Sequence, residues 1–253
     1  MNTTKKDINI LNPKEQKNLF CFSDNFNFFI DLFDNKKMPQ SLILSGNKGL
    51  GKSTLVYHLS NYILSKNEEF SYSRDIQLIN ERNPSYKSVN QNIHPNFFVL
   101  ENENFESNIK IDRVRNLIKY INMTSLSNSL KIILIDNAEF LNTNSSNALL
   151  KVIEEPPLNT FFFIIHNNNS FMLDTIKSRC LKFNLNISID EKKKILVDLL
   201  HQYKISADFD LLLNNLYFDT PGNLLKLILH LDNHEIDFVN NKLDCILYFI
   251  DNY

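Results

Sequence analysis

Glycine is scarce in this chain, with four in 253 residues, and cysteine is scarcer still, with three. Cys21, Cys180 and Cys245 lie far apart and none belongs to a C-x-x-C spacing. That excludes a Cys-rich zinc module and a disulfide framework, and it suits a reducing cytoplasm. No apolar run approaches the ~20 residues that a membrane-spanning helix needs. The opening MNTTKKDINILNPKEQ has no apolar signal core. Excess positive charge is also missing: the net charge is −2 and the pI about 6.3. Bulk basicity as the means of gripping nucleic acid is therefore excluded, although a local basic patch is not. What remains is a globular composition, 43% hydrophobic and 22% charged, sized for one large domain or two modest ones.

Three of the four glycines fall within six residues, in Gly46-Asn47-Lys48-Gly49-Leu50-Gly51-Lys52-Ser53. This is a complete G-x-x-x-x-G-K-[ST] phosphate loop. Glycine allows backbone N–H groups to turn toward an anion with no Cβ in the way. A helix beginning at the loop, with Thr54 in its first turn, adds free N–H groups and a positive dipole end. Lys52 is placed to reach the outer phosphates of ATP and Ser53 to help hold Mg²⁺.

The surroundings have the order that such a loop requires. Residues 41–45 form a buried apolar strand before it, and Leu55, Leu59, Tyr62 and Ile63 mark one face of the helix after it. Residues 67–93 are polar without clear periodicity and read as a loop or irregular insertion. Phe97–Leu100 is a second strand, and Asp112 can cap a helix whose apolar face is Val114, Leu117, Ile118 and Ile121. Lys131–Asp136 is an apolar run ending in an acid, which belongs in a parallel sheet covered on both faces. A helix over 147–154 stops before Pro156-Pro157. A strand over 161–165 and a helical turn with a last strand within 176–183 follow. Alternating strands and helices imply an α/β domain with a parallel sheet over 1–186. From 187 to 234 the pattern turns helical. Ser188 and Glu191 form a capping box, Ile195, Leu196, Leu199 and Leu200 share a face, and helices are expected over 208–217 and 222–231. Asp136, at the end of its strand, is the acid expected to complete a metal site with Ser53.

Asp136-Asn137-Ala138-Glu139, Asn147-Ala148-Leu149-Leu150-Lys151, Glu154-Glu155-Pro156-Pro157 and Ser178-Arg179-Cys180 occur in that order. So do His94–Glu101 and Ile111–Arg115. Together these segments resemble the clamp-loader branch of the AAA+ ATPases, and within it the delta-prime subunit family of bacterial DNA polymerase III. The resemblance covers roughly residues 15–230. It implies a P-loop AAA+ domain followed by a small helical lid, and residues 235–253 would open a truncated or missing collar domain. It also implies partners: tau/gamma and delta-type loader subunits, the sliding clamp indirectly, and primed DNA in the assembled complex. Arg179 is then the candidate arginine finger, directed at a neighbour's ATP, since a guanidinium is always charged and offers a planar fork of donors. Cys180 carries no chemistry and packs as a small apolar residue. His166 and Asn167 both end a strand near where the family places a polar residue that senses the outer phosphate, and Asn167 is retained as the site residue with His166 left open.

The sequence departs from the active members of that branch. They follow the metal-binding acid with a glutamate that activates water, and here the position is Asn137, an amide that cannot take a proton near neutral pH. A helical-domain arginine near Gly222 is also absent, and Lys226 would replace it only as a point charge. The expectation is a subunit that binds ATP but hydrolyses it slowly or not at all. The alternative is a hydrolysing subunit of the tau/gamma type. Arg113, Arg115 and Lys119 lie along one expected helix, as a DNA-phosphate face or a solvated one.

Overall fold

The computed structural model describes residues 10–102, 108–123, 130–205 and 219–233. They divide into two compact units. The first comprises Pro13–Asn47 and Gly51–Asn186. The second comprises the described parts of Met1–Asn12, Lys48–Leu50 and Ile187–Tyr253.

The first unit is built on β1 (Ser41–Gly46), β2 (Phe97–Leu100), β3 (Lys131–Ile135), β4 (Thr160–Asn167) and β5 (Leu181–Asn184). Every pairing is parallel and the order is β2-β3-β4-β1-β5. All five residues of β3 are buried, and so are all six of β1. This explains the apolar runs Leu42–Leu44 and Ile132–Ile135 within them, because a strand covered on both faces has no solvent side for polar residues. The helices are α1 (Ser23–Asp34), α2 (Lys52–Leu64), α3 (Pro84–Asn90), α4 (Ile111–Asn122), α5 (Thr143–Glu154) and α6 (Asp174–Lys177). A 3₁₀ turn, Ala138–Phe140, follows β3. The central core joins Ile133, Ile135, Phe162 and Ile164 of the sheet to Val114, Leu117 and Ile121 of α4 and Leu149 and Ile153 of α5.

Several elements differ from the sequence reading. The 67–93 segment contains α3, whose Asn83 N-cap side chain accepts from the Tyr86 N–H at 2.7 Å and whose first residue is Pro84. At seven residues it is too short to show periodicity. Asp112 is not the cap of α4. The helix starts two residues earlier, at Ile111 with Lys110 at the N-cap, and Asp112 pairs with Arg115 at 3.0 Å. Burial on α2 is not confined to the predicted stripe: Val56, Tyr57, His58, Ser60 and Asn61 are buried too, while Tyr62 is only half-buried. Lys131 opens β3, and its Nζ donates to the carbonyls of Tyr120, Ile121 and Met123 at the end of α4, at 2.9, 3.0 and 2.9 Å. It satisfies acceptors that every helix C-terminus leaves open.

In the second unit, α7 (Ile189–Gln202) carries the predicted capping box. Ser188 Oγ accepts from the Glu191 N–H, and a Glu191 carboxylate oxygen accepts from the Ser188 N–H at 2.7 Å. Helix α7 buries Ile195, Leu196, Leu199 and Leu200. Opposite them, α8 (Pro221–Asn233) buries Leu224, Leu225, Ile228 and Leu229. Lys48–Leu50 clusters with these helices. Thr220 Oγ1 donates to the Lys48 carbonyl at 2.7 Å and the Gly222 N–H to the Gly49 carbonyl at 3.0 Å. A Cβ at Gly222 would lie 2.6 Å from that carbonyl oxygen, so only glycine allows this approach. The helix expected over 208–217, the 235–253 segment and Cys245 lie outside the described residues.

Candidate functional site

The C-terminal ends of β1, β3 and β4 and the N-terminus of α2 assemble the candidate site. Gly46 closes β1, and Gly51 is the N-cap of α2 with φ +87°. A Cβ at Gly51 would meet nothing within 4 Å. Glycine is needed there for its left-handed backbone and not for space. Lys52 and Ser53 are the first residues of α2, with Thr54 half-buried beside them.

The Lys52 side chain is buried, 6% exposed, and folds back on the loop. Its Nζ donates to the Gly46 carbonyl at 2.8 Å and to the Asn47 carbonyl at 2.7 Å. Burial lowers its pKa to about 8, against the opposing pull of Glu139 and then Asp136. Ser53 Oγ donates to Asp136 Oδ2 at 2.9 Å, although the two residues are 83 apart in the chain. Burial pushes the Asp136 carboxyl up to about 6, and nearby Glu101 adds to the rise while Ser53 and Lys52 oppose it. Glu101 follows β2, whose last residue pairs with Ile135, so the two acids stand at neighbouring strand ends.

This donor set fits a nucleotide with Mg²⁺. A hydroxyl and a carboxylate already in contact are hard oxygen ligands of the kind Mg²⁺ takes, usually with waters and phosphate oxygens completing its shell. The Lys52 ammonium is held by the neutral carbonyls of Gly46 and Asn47 in its own loop, and charged phosphate oxygens are stronger acceptors than these. The free N–H groups of the first turn of α2 point the same way.

Asn167 pairs in register with Gly46, at the lip of the loop. His166, one residue earlier, points into the protein. It is 5% exposed, with Nδ1 3.2 Å from Ser45 Oγ and Nε2 3.0 Å from the Ser170 carbonyl. Of the two residues left open by the sequence, Asn167 is the one beside the loop. Asn137 takes a left-handed backbone, φ 57° and ψ 62°. Asparagine adopts this more cheaply than other side-chain-bearing residues. Glu139, on the 3₁₀ turn, was given no geometry by sequence reasoning. Its carboxylate accepts a long 3.4 Å bond from the Asn167 N–H.

Arg179 lies between α6 and β5. It is exposed, and its Nε donates to Glu154 Oε2 at 2.9 Å while Nη1 donates to the Thr175 carbonyl at 3.0 Å. Cys180 is half-buried against the core, and burial pushes its thiol up to about 12, which leaves it unreactive. On α4, Arg113 donates to the Glu101 carbonyl at 2.8 Å and Arg115 is held by Asp112, while Lys119 is exposed. The face is not a uniform basic stripe. Lys226 is exposed on α8.

Comparison with known proteins meets this geometry. A family model described as DNA polymerase III, delta subunit, matches residues 23–188. That is about two thirds of the chain, and the DNA polymerase III subunit delta' of Pseudomonas aeruginosa is 42% identical over 89 residues. This chain belongs to the delta-prime subunit family of DNA polymerase III. The delta-prime match in Pseudomonas covers 35% of this chain and 27% of the relative. The Escherichia coli subunit delta' is 28% identical over 144 residues, covering 55% of this chain and 40% of the relative. The chain thus spans well under half the length of these two delta-prime relatives. Among solved structures, the RuvB Holliday junction branch migration motor of Thermotoga maritima has a TM-score of 0.53 at 14% identity, covering 91% of this chain and 70% of that one. At that identity the likeness carries the fold alone: this delta-prime family member has an AAA+ type α/β fold with C-terminal helices. No described helix is long and apolar enough to cross a membrane.

Proposed function

We propose that this delta-prime family member is a loader subunit that binds ATP with Mg²⁺, hydrolyses it poorly, and lends Arg179 to the ATP site of a neighbouring subunit. In this reading it acts in the cytoplasm with tau/gamma and delta-type subunits, to place a sliding clamp on primed DNA. The observation that carries the proposal is the state of Arg179. Its guanidinium stands at the surface, held by Glu154 and the Thr175 carbonyl, outside the apolar core. A guanidinium so held is oriented and accessible, and its planar fork suits phosphate oxygens. The intact cradle of Lys52, Ser53 and Asp136 supports nucleotide binding, and Asn137 in place of a proton-accepting glutamate supports poor hydrolysis.

Turnover of MgATP by the isolated chain is the test, measured beside equilibrium binding of the same nucleotide. The proposal expects binding without appreciable turnover. Turnover abolished by Asp136→Ala would replace it with the tau/gamma-type ATPase reading.

A further inference from the structure

We propose that Glu139 sets the nucleotide preference of the loop, disfavouring a terminal γ-phosphate relative to a diphosphate. The inference rests on the nucleotide-binding reading above and deepens it. Three observations place the carboxylate. Glu139 sits on the 3₁₀ turn that follows β3 and accepts from the Asn167 N–H across 3.4 Å. Asn167 is in register with Gly46 on the adjacent strand. The Gly46 carbonyl in turn accepts from Lys52 Nζ at 2.8 Å. The acid, the strand end and the lysine therefore form one continuous edge of the loop. Glu139 also precedes Asp136 among the acids that act on the Lys52 charge.

The consequence follows from where phosphates go. In a loop of this kind the lysine reaches the β- and γ-phosphates. A γ-phosphate brings its charge to the part of Lys52 on which Glu139 already acts. The strand end that Glu139 contacts, Asn167, stands in register with Gly46 at the start of the same loop. Asp136 does not create the same conflict, because with Ser53 it forms the hard-oxygen pair that a Mg²⁺ ion neutralises. Glu139 lies outside that pair. A diphosphate ends one phosphate short and avoids the like-charge contact.

Calorimetric titration of the full chain with MgADP and with a non-hydrolysable MgATP analogue tests this, in wild type, Glu139→Gln and Glu139→Asp. Removing the charge in Glu139→Gln is expected to raise affinity for the triphosphate about tenfold relative to MgADP. Glu139→Asp keeps the charge and should keep the wild-type preference. Binding of both nucleotides with the preference unchanged in Glu139→Gln would overturn the inference alone. An equal shift in Glu139→Asp would also overturn it, since geometry and not charge would then be responsible. Binding of neither nucleotide by any of the three folded proteins would overturn the nucleotide reading itself, and the inference with it.

Discussion

Glu154 and Arg179 are joined by a 2.9 Å ion pair that links the end of α5 to the turn before β5. Both partners are partly solvated, with side chains 56% and 32% exposed. An exposed pair of this kind contributes about 0–1 kcal/mol to stability. Arg179→Ala and Glu154→Gln should therefore each leave the denaturant unfolding free energy within about 1 kcal/mol of wild type. A much larger loss, measured by urea titration, would mean that Arg179 is a structural residue and not one held ready for a neighbour.

The Asp136 carboxyl gives a pH signature. Its pKa is raised from 3.8 to about 6 in the folded chain, chiefly by burial. Between those values the folded state binds more protons than the unfolded one. Stability contributed at this position therefore falls as pH rises through the window, and the penalty is complete above it. Asp136→Asn removes the penalty and still offers Ser53 an acceptor. Without Mg²⁺ and nucleotide, the variant should melt above wild type at pH 7.5, and the difference should shrink toward zero near pH 4. A variant that melts lower at pH 7.5 would contradict the burial argument.

Asn137 lacks a proton-accepting group, and its backbone is left-handed. A side chain other than asparagine, aspartate or glycine pays about 1–2 kcal/mol in that conformation. Asn137→Glu should lose about 1 kcal/mol of stability, whereas Asn137→Gly should be neutral or gain slightly. Chemical denaturation of the two variants checks the order. Equal stability of wild type and Asn137→Glu would show that the strand end relaxes freely.

Much of this was legible in the sequence, for reasons that differ from residue to residue. β1, β3 and β4 announce themselves because strands buried on both faces carry apolar runs at their centres, Leu42–Leu44, Ile132–Ile135 and Phe161–Ile165. Gly51 and Lys52 are readable because a phosphate loop compresses its chemistry into eight consecutive residues. α1 went unread although Phe26, Phe29, Ile30 and Phe33 hold helical spacing. Its N-cap, Phe22, makes no side-chain cap bond and takes a left-handed backbone, so the usual start signal is missing. The roles of Glu139, Glu101 and Lys131 were also hidden. Glu139 reaches Asn167 across 28 residues, and Lys131 caps a helix that precedes it. Such pairings arise only when parallel strands bring their ends together, and no local pattern records them.

Whether Arg179 acts on a neighbour's nucleotide is decided by reconstitution. ATP turnover should be measured at the site facing this subunit, in a loader assembled with wild type or with Arg179→Ala. Loss of an arginine finger costs about 10³-fold or more at the site it serves. A loss of that order is expected, with assembly and the nucleotide affinity of this chain unchanged. Turnover at that site equal to wild type, in a fully assembled complex, would contradict it.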